Sequence, residues 1–344
     1  MHHFRAIRGL WVFHMVRGHL ANARGLAENL NALAQHEQSS DLLVEAHRAL
    51  GTTYFFLGRF DEARTHLLAA KSSDDPNQHR SLALSFGQDP GITAMTYLAR
   101  TLWILGEVEP VEPMAQEAIG LARELEHPYT LVFTLVNLSW LYSAARNTKR
   151  TRELTDEAIA VSKQYSFEFG LAWATTSQGW ALAETGQTEG LGTLLHGLSA
   201  TRATGARTHD TCTLALLAEI YLRHNRIDEG LAAIEEAQTL AGTGGERFWH
   251  AELLRLKGEL LLGQSDPSVQ AAEQCFCEAL KIAHDQHAKM LELRAAMSLA
   301  RLWMKLNKLN EAKRILNAVY SKFTEGLDNH DLIEAKTVLE QLGV

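Results

Sequence analysis

The chain has 344 residues, 46% of them apolar and 22% charged, with a net charge of −8. That balance supplies a large core and argues against a dedicated nucleic-acid binder, which carries a basic excess; no apolar run approaches the roughly 18 residues a membrane helix needs. Three cysteines, an odd number in a long chain, suit a reducing compartment better than a disulfide scaffold, so the expected location is the cytoplasm.

In chain order, the opening stretch FRAIRGLWVFHMVRGHL is hydrophobic, but Arg5, Arg8 and Arg17 recur on a helical period and no small-residue cleavage site follows. It reads as an amphipathic helix, not a signal peptide. Next, ALGTTYFFLGRFDEARTHLLAA (residues 49–70) places Leu50, Gly51 and Tyr54 on one helical face, breaks at Gly58, and resumes with Ala63, Leu67 and Ala70 on a second. Small residues at Gly51 and Ala63 let the two helices approach. The same small position recurs at Trp11, Gly51, Ala99, Ser139, Gly179, Ala218, Gly258 and Ala300, with spacings of 40, 48, 40, 40, 39, 40 and 42 residues. A period near 40 marks a stacked array of helix hairpins. The second-helix pattern returns as Ala23-Ala27-Leu30, Ala272-Phe276-Ala279 and Ala312-Leu316-Val319. It is weaker from Thr151 to Leu198, where Thr155 and Leu195 take its large position. Eight hairpins and a capping helix near 331–342 account for one all-α domain over 1–344. The single 48-residue spacing leaves about eight extra residues near 72–91, around HRSLALSFGQDPG. There a short helix is expected to fill the groove or adjust the curvature, with His79, Arg80 and Asp89 as the polar groups it could offer a ligand.

At Leu50-Gly51, Tyr54, Ala63 and Ala70 the chain resembles the tetratricopeptide family, with the longer spacing of the maltose-regulator type of array. The stretches GLWVFHMVRGHL, RGLAENLNALA, HRSLALSFGQDPG, GERFWHAELLRLKGELLL, LELRAAMSLARLW and FTEGLDNHDLIEAKTVLEQLG resemble the C-terminal array of large bacterial predicted ATPases. Those proteins often carry a class III adenylate/guanylate cyclase or DNA-binding domain ahead of the ATPase. The resemblance implies a right-handed superhelix acting as the sensor or scaffold arm of such a system, binding a peptide, protein or small effector in its concave groove. The alternative is a free-standing protein–protein scaffold.

Motifs for chemistry within the chain are missing. No Gly-Lys dipeptide occurs, so a phosphate-binding loop is excluded, and H-E-x-x-H, paired C-x-x-C and G-x-S-x-G are absent. No cofactor or metal is expected. His284 and His287, three apart, fall at an expected helix end, where capping explains them. Glu219 and Glu259 occupy equivalent positions in adjacent repeats, which leaves a remote reading as a helical-array glycoside hydrolase. Basic residues outnumber acidic ones over 281–322, which solvated helix faces account for.

Groove-facing places on the first helices give Arg100, Trp140, Trp173, Trp180 and Glu219, with Tyr97 and Asn137 adjoining. Aromatics with arginine suit recognition. Some related repeats clamp C-terminal carboxylates with a lysine and asparagines; here Arg48 stands at such a place but Thr52 and Tyr97 replace the asparagines, which argues against that clamp.

Overall fold

A computed structural model of the protein describes residues 2–73 and 75–343. All regular structure among these residues is helical, and the helices form a right-handed superhelix of antiparallel hairpins. The first two hairpins are α1 (His2–Val16) with α2 (Leu20–Glu37) and α3 (Ser40–Phe56) with α4 (Phe60–Ser72). A short helix, α5 (His79–Phe86), is interposed before α6 (Pro90–Leu105) and α7 (Val111–Glu124). Then come α8 (Pro128–Ala144) with α9 (Thr148–Tyr165), and α10 (Glu168–Glu184) with α11 (Gly190–Ala203). The last three hairpins pair α12 (Asp210–Arg223) with α13 (Ile227–Gly244), α14 (His250–Leu262) with α15 (Val269–Asp285), and α16 (Lys289–Lys305) with α17 (Leu309–Tyr320). A final helix, α18 (His330–Gln341), covers the end.

The hairpin turns follow from local backbone chemistry. All but the α14–α15 turn place one residue in the left-handed region to reverse the chain. Gly106 (φ 79°) does this after α6: its N–H bonds Trp103 O and the Glu107 N–H bonds Leu102 O, satisfying the last carbonyls. A Cβ there would also strike Phe323 at 2.8 Å, so glycine answers both the torsion and the close approach of a later turn.

First and second helices are buried differently. Every residue of α6 is buried, because it meets α3, α4, α7 and α8 in its own turn and α16 in the next. By contrast α17 buries only the stripe Ala312, Leu316 and Val319. Inner helices therefore lack the polar face an outer helix keeps.

Contacts between turns fix the pitch. The Arg207 N–H donates to Val16 O at 2.8 Å, and the Arg247 N–H to Phe56 O at 2.8 Å, each joining segments some 190 residues apart. Arg294 donates to Ala144 O, and His287 Nδ1 pairs with Asp61 at 2.5 Å. The superhelix is thus closed on itself along much of its axis, not an open trough.

The weak second-helix pattern has a specific cause in α11. Leu194, fully buried, takes the large position, and Leu195 is 39% exposed, one residue out from the sequence expectation. Glycines shift the seam: a Cβ on Gly179 would lie 2.3 Å from Leu194 N, and one on Gly197 2.6 Å from Thr176 N, so the α10 and α11 backbones touch. Gly179→Ala is expected to destabilise by about 1–3 kcal/mol through overpacking. Gly120→Ala, where an added Cβ meets nothing within 4 Å, should stabilise by about 0.5–1 kcal/mol through helix propensity. Urea midpoints of the two variants moving in the same direction would contradict this account.

Candidate functional site

The axis is not filled uniformly. Between the first and fifth hairpins it leaves an open-sided cavity of about 540 Å3, lined by α1, α3, α6, α8 and α10. Its floor and sides are largely aromatic and aliphatic, with Trp11, Met15, Phe56, Tyr129, Phe133, Phe169 and Trp173. The roof is the contact between turns: Thr208 Oγ1 donates to Met15 O, and Ala206, Thr208 and His209 face the cavity beside α1. Ligand pockets of this size and apolar character, with a few fixed polar groups, hold small molecules.

The interposed segment supplies one wall. Phe86, Gly87 and Gln88, at the end of α5, line the cavity, and Phe86 packs on Phe4 of α1 with ring centroids 6.2 Å apart. Asp89 starts α6: its Oδ1 accepts from the Ile92 N–H at 2.7 Å and its Oδ2 meets His79 Nδ1 at 2.8 Å. His79 and Asp89 thus lock the α5–α6 corner, while Arg80 is exposed. The extra residues brace the α5–α6 corner and also line one side of the cavity.

Polar groups gather where α1 meets α3. Glu45 is fully buried and accepts from Arg8 Nε at 2.7 Å, Arg48 Nε at 2.7 Å and Arg48 Nη2. Burial alone would raise its pKa; Arg48 and then Arg8 overcome that and hold the carboxylate ionised. Arg48 also stacks on Trp11 at 4.6 Å, and Trp11 Nε1 donates to Thr53 Oγ1 at 3.0 Å.

Behind this wall lies a second buried guanidinium. Arg100, fully buried, donates to Asn137 Oδ1 at 2.5 Å and lies over Trp140 at 4.2 Å and Phe55 at 4.5 Å. Burial lowers its pKa, and the ring faces replace part of the lost solvation. His209 Nε2 sits 3.5 Å from Arg100 Nη2; burial and that cation push its pKa far down, so the ring is neutral.

Of the sequence candidates, Tyr97 and Trp173 line the cavity, whereas Arg100, Asn137 and Trp140 form the packed layer behind it. Trp180 is fully buried and does not reach it. Glu219 is elsewhere, in a ladder of ion pairs that fills the axis of the later hairpins. It binds Arg146 at 2.6 Å and Arg223 at 3.2 Å; Glu184 binds Arg223 at 2.5 Å; Glu252 binds Arg255 at 2.7 Å. Burial would raise Glu219, but Arg146 and then Arg223 hold it at about 2, leaving no proton for acid catalysis. Glu259 instead accepts from Ser298 at 2.6 Å.

Arg48, Thr52 and Tyr97, set aside as a clamp, face the same cavity, and Arg8, Trp11 and Gln88 join them. The signal for these was faint: arginine and tryptophan on the inner side of the first two hairpins. His284 turns to Glu292 and His287 to Asp61, so they share no metal. His330, Asp331 and Glu334 bring ligand atoms within 4.8 Å, but Asp331 is held by Arg294 and Glu334 by Arg301 at 2.6 Å. In the basic stretch, Lys322 binds Glu292 and Lys308 binds Glu273. No helix among the described residues is long and apolar enough to cross a membrane.

Comparison with known proteins agrees with this architecture. A family model for the tetratricopeptide repeat matches residues 44–69, the α3–α4 hairpin. An uncharacterized protein of Rhizobium meliloti (strain 1021) is 22% identical over 280 residues, covering 80% of this chain and 27% of that protein. The chain thus spans about a quarter of that relative's length. Among solved structures, a Rap protein complexed with competence and sporulation factor is similar with a TM-score of 0.60 at 11% identity, over 99% of this chain and 100% of that one. The apo form of RapI is similar with a TM-score of 0.52 at 15% identity, over 85% and 99% respectively. The fold is that of a tetratricopeptide-type helical array.

Proposed function

We propose that the chain is a non-enzymatic sensing and interaction arm that takes an effector into the cavity of its first turn. The observation that carries this reading is the position of the cavity. An occupant would touch both α1 and the 204–209 connection, whose mutual hydrogen bonds set the spacing between successive turns. A ligand that prefers one spacing shifts the whole array toward it. The outer surface, or an attached domain, then reads occupancy as a change of pitch.

The attached domain in this reading is a signal-transduction ATPase or class III cyclase, as the sequence resemblance implies. That the chain matches only 27% of its longer relative accords with such an arm. A similar superhelix, the Rap protein, is complexed with competence and sporulation factor, which supports a binding role for the fold. The second reading, a free-standing scaffold for protein partners, is favoured by the match to that Rap chain over its full length.

Thermal shift with a library of peptides, nucleotides and metabolites tests the reading. A ligand at about 100 times its Kd should raise Tm by about 5 °C. The rise should vanish in Val12→Phe, which grows a ring into the cavity from a half-buried position. Ligands that stabilise wild type and Val12→Phe equally would place binding elsewhere and sink the proposal.

A further inference from the structure

We infer that the cavity's ligand is a small acid, one carboxylate on a largely apolar body. The inference rests on the cavity being an effector site, and it comes from what the polar corner leaves unsatisfied. Two guanidiniums, Arg8 and Arg48, share the single carboxylate of Glu45. Glu45 engages Nε of both and Nη2 of Arg48, so Arg48 Nη1 and both terminal nitrogens of Arg8 have no protein partner among the described residues. The corner therefore carries one uncompensated positive charge facing the cavity. The next carboxylate along the wall, Asp89, is taken up by His79 and the Ile92 N–H and does not line the cavity.

Two neutral groups point the same way. Thr52 lies one helical turn beyond Arg48 on the same face of α3, is 3% exposed, and its buried hydroxyl has no partner. Gln88, 7% exposed, lines the cavity and its amide makes no hydrogen bond to the described residues. A buried hydroxyl such as that of Thr52 is rarely left unpaired, and the free guanidinium N–H groups face the cavity beside it. One carboxylate supplies what is missing: a forked acceptor for guanidinium N–H groups, an acceptor for the Thr52 hydroxyl, and one negative charge. A cation would add to the excess. Beyond this corner the walls are mostly apolar, with Trp11, Val12, Met15, Phe133, Phe169 and Trp173, so the rest of the ligand is largely apolar.

The chemistry is shared by a free fatty acid and by the C-terminus of a short apolar peptide, and the experiment separates them. Decanoate and an N-acetylated apolar tripeptide, each beside its primary amide, are titrated by calorimetry and by Trp fluorescence. At least one acid should bind about 10- to 100-fold more tightly than its amide, the scale of lost charge-assisted hydrogen bonds. Arg48→Gln and Thr52→Val should each narrow that gap. Thr52→Val keeps the fold, since the hydroxyl it removes bonds nothing in the protein. The acid that binds names the source. Equal binding of acid and amide overturns the carboxylate while leaving the effector site standing. If none of the four binds, the acid class is wrong, and the Val12→Phe comparison decides the effector site separately.

Discussion

Arg294→Met should cost about 3–5 kcal/mol in urea unfolding, because it strands a buried carboxylate. Arg294 is 4% exposed and donates to Asp331 Oδ2 through Nε at 2.9 Å and Nη2 at 2.7 Å. Nη2 also donates to Ala144 O, Nη1 lies 3.9 Å from Glu252, and the guanidinium stacks over Trp103 at 5.3 Å. One side chain on α16 thus ties the capping helix to α6, α8 and α14. Methionine keeps much of the volume, so the loss isolates the charge rather than a cavity. Glu252 retains Arg255; Asp331, 3% exposed, loses its main cation. Adding Asp331→Asn should restore at least about 2 kcal/mol, since the stranded charge goes with it. The pH dependence has a fixed sign. Burial would raise Asp331, but Arg294 holds it well below the usual carboxylate range, so the wild type loses this stability as pH falls below about 4. The deficit of Arg294→Met should shrink over the same window. A loss under about 1 kcal/mol at pH 7, or no rescue by Asp331→Asn, would show that the ladder does not hold the cap.

The repeat was legible because it is local. Small residues every 40 or so positions and three-to-four spacing of apolar ones set each hairpin, and the 48-residue step at Gly51–Ala99 marked α5. The site was only partly legible, because it depends on pitch. Whether an inner face lines a cavity or disappears into packing is decided by bonds such as Arg207 to Val16 and Arg247 to Phe56, between segments with no common local pattern. Tyr97 and Trp173 line the cavity; Arg100, Asn137 and Trp140, one layer back, stand where Phe248 enters the axis and packs at a tilt on Trp140 with ring centroids 5.7 Å apart. Glu219 reads as groove-facing by position, yet Arg146, held beyond α8 at φ 61°, reaches it across the axis and closes it into an ion pair. The one-residue error at Leu195 is instead local to one hairpin: the α10 and α11 backbones touch at Gly179 and Gly197, and Leu194, not Leu195, is buried there.

Glu246→Gln should make the protein more stable at pH 8 and leave it unchanged near pH 4.5. The loop after α13 turns inward at Gly245 (φ 83°) and carries Glu246 to the axis, where it is 5% exposed and accepts from Thr211 Oγ1. Burial raises its carboxyl to about 7; the Thr211 hydrogen bond and Arg100 oppose this, and Asp210 reinforces it. Below about pH 4.5 both native and unfolded chains hold the proton. Between 4.5 and 7 only the native chain does, so stability falls as pH rises, by roughly 3 kcal/mol in all at 1.36 kcal/mol per pH unit. Above 7 both are ionised and the loss is complete. Glutamine is neutral throughout and still offers Thr211 an acceptor, so the variant escapes the loss. The quantity to measure is the difference in unfolding free energy between variant and wild type across pH 4.5–8. A difference that stays flat would mean Glu246 is ionised in the folded protein at all these pH values. Arg100 would then have a carboxylate counter-charge, and the positive character at the cavity would rest on Arg8 and Arg48 alone.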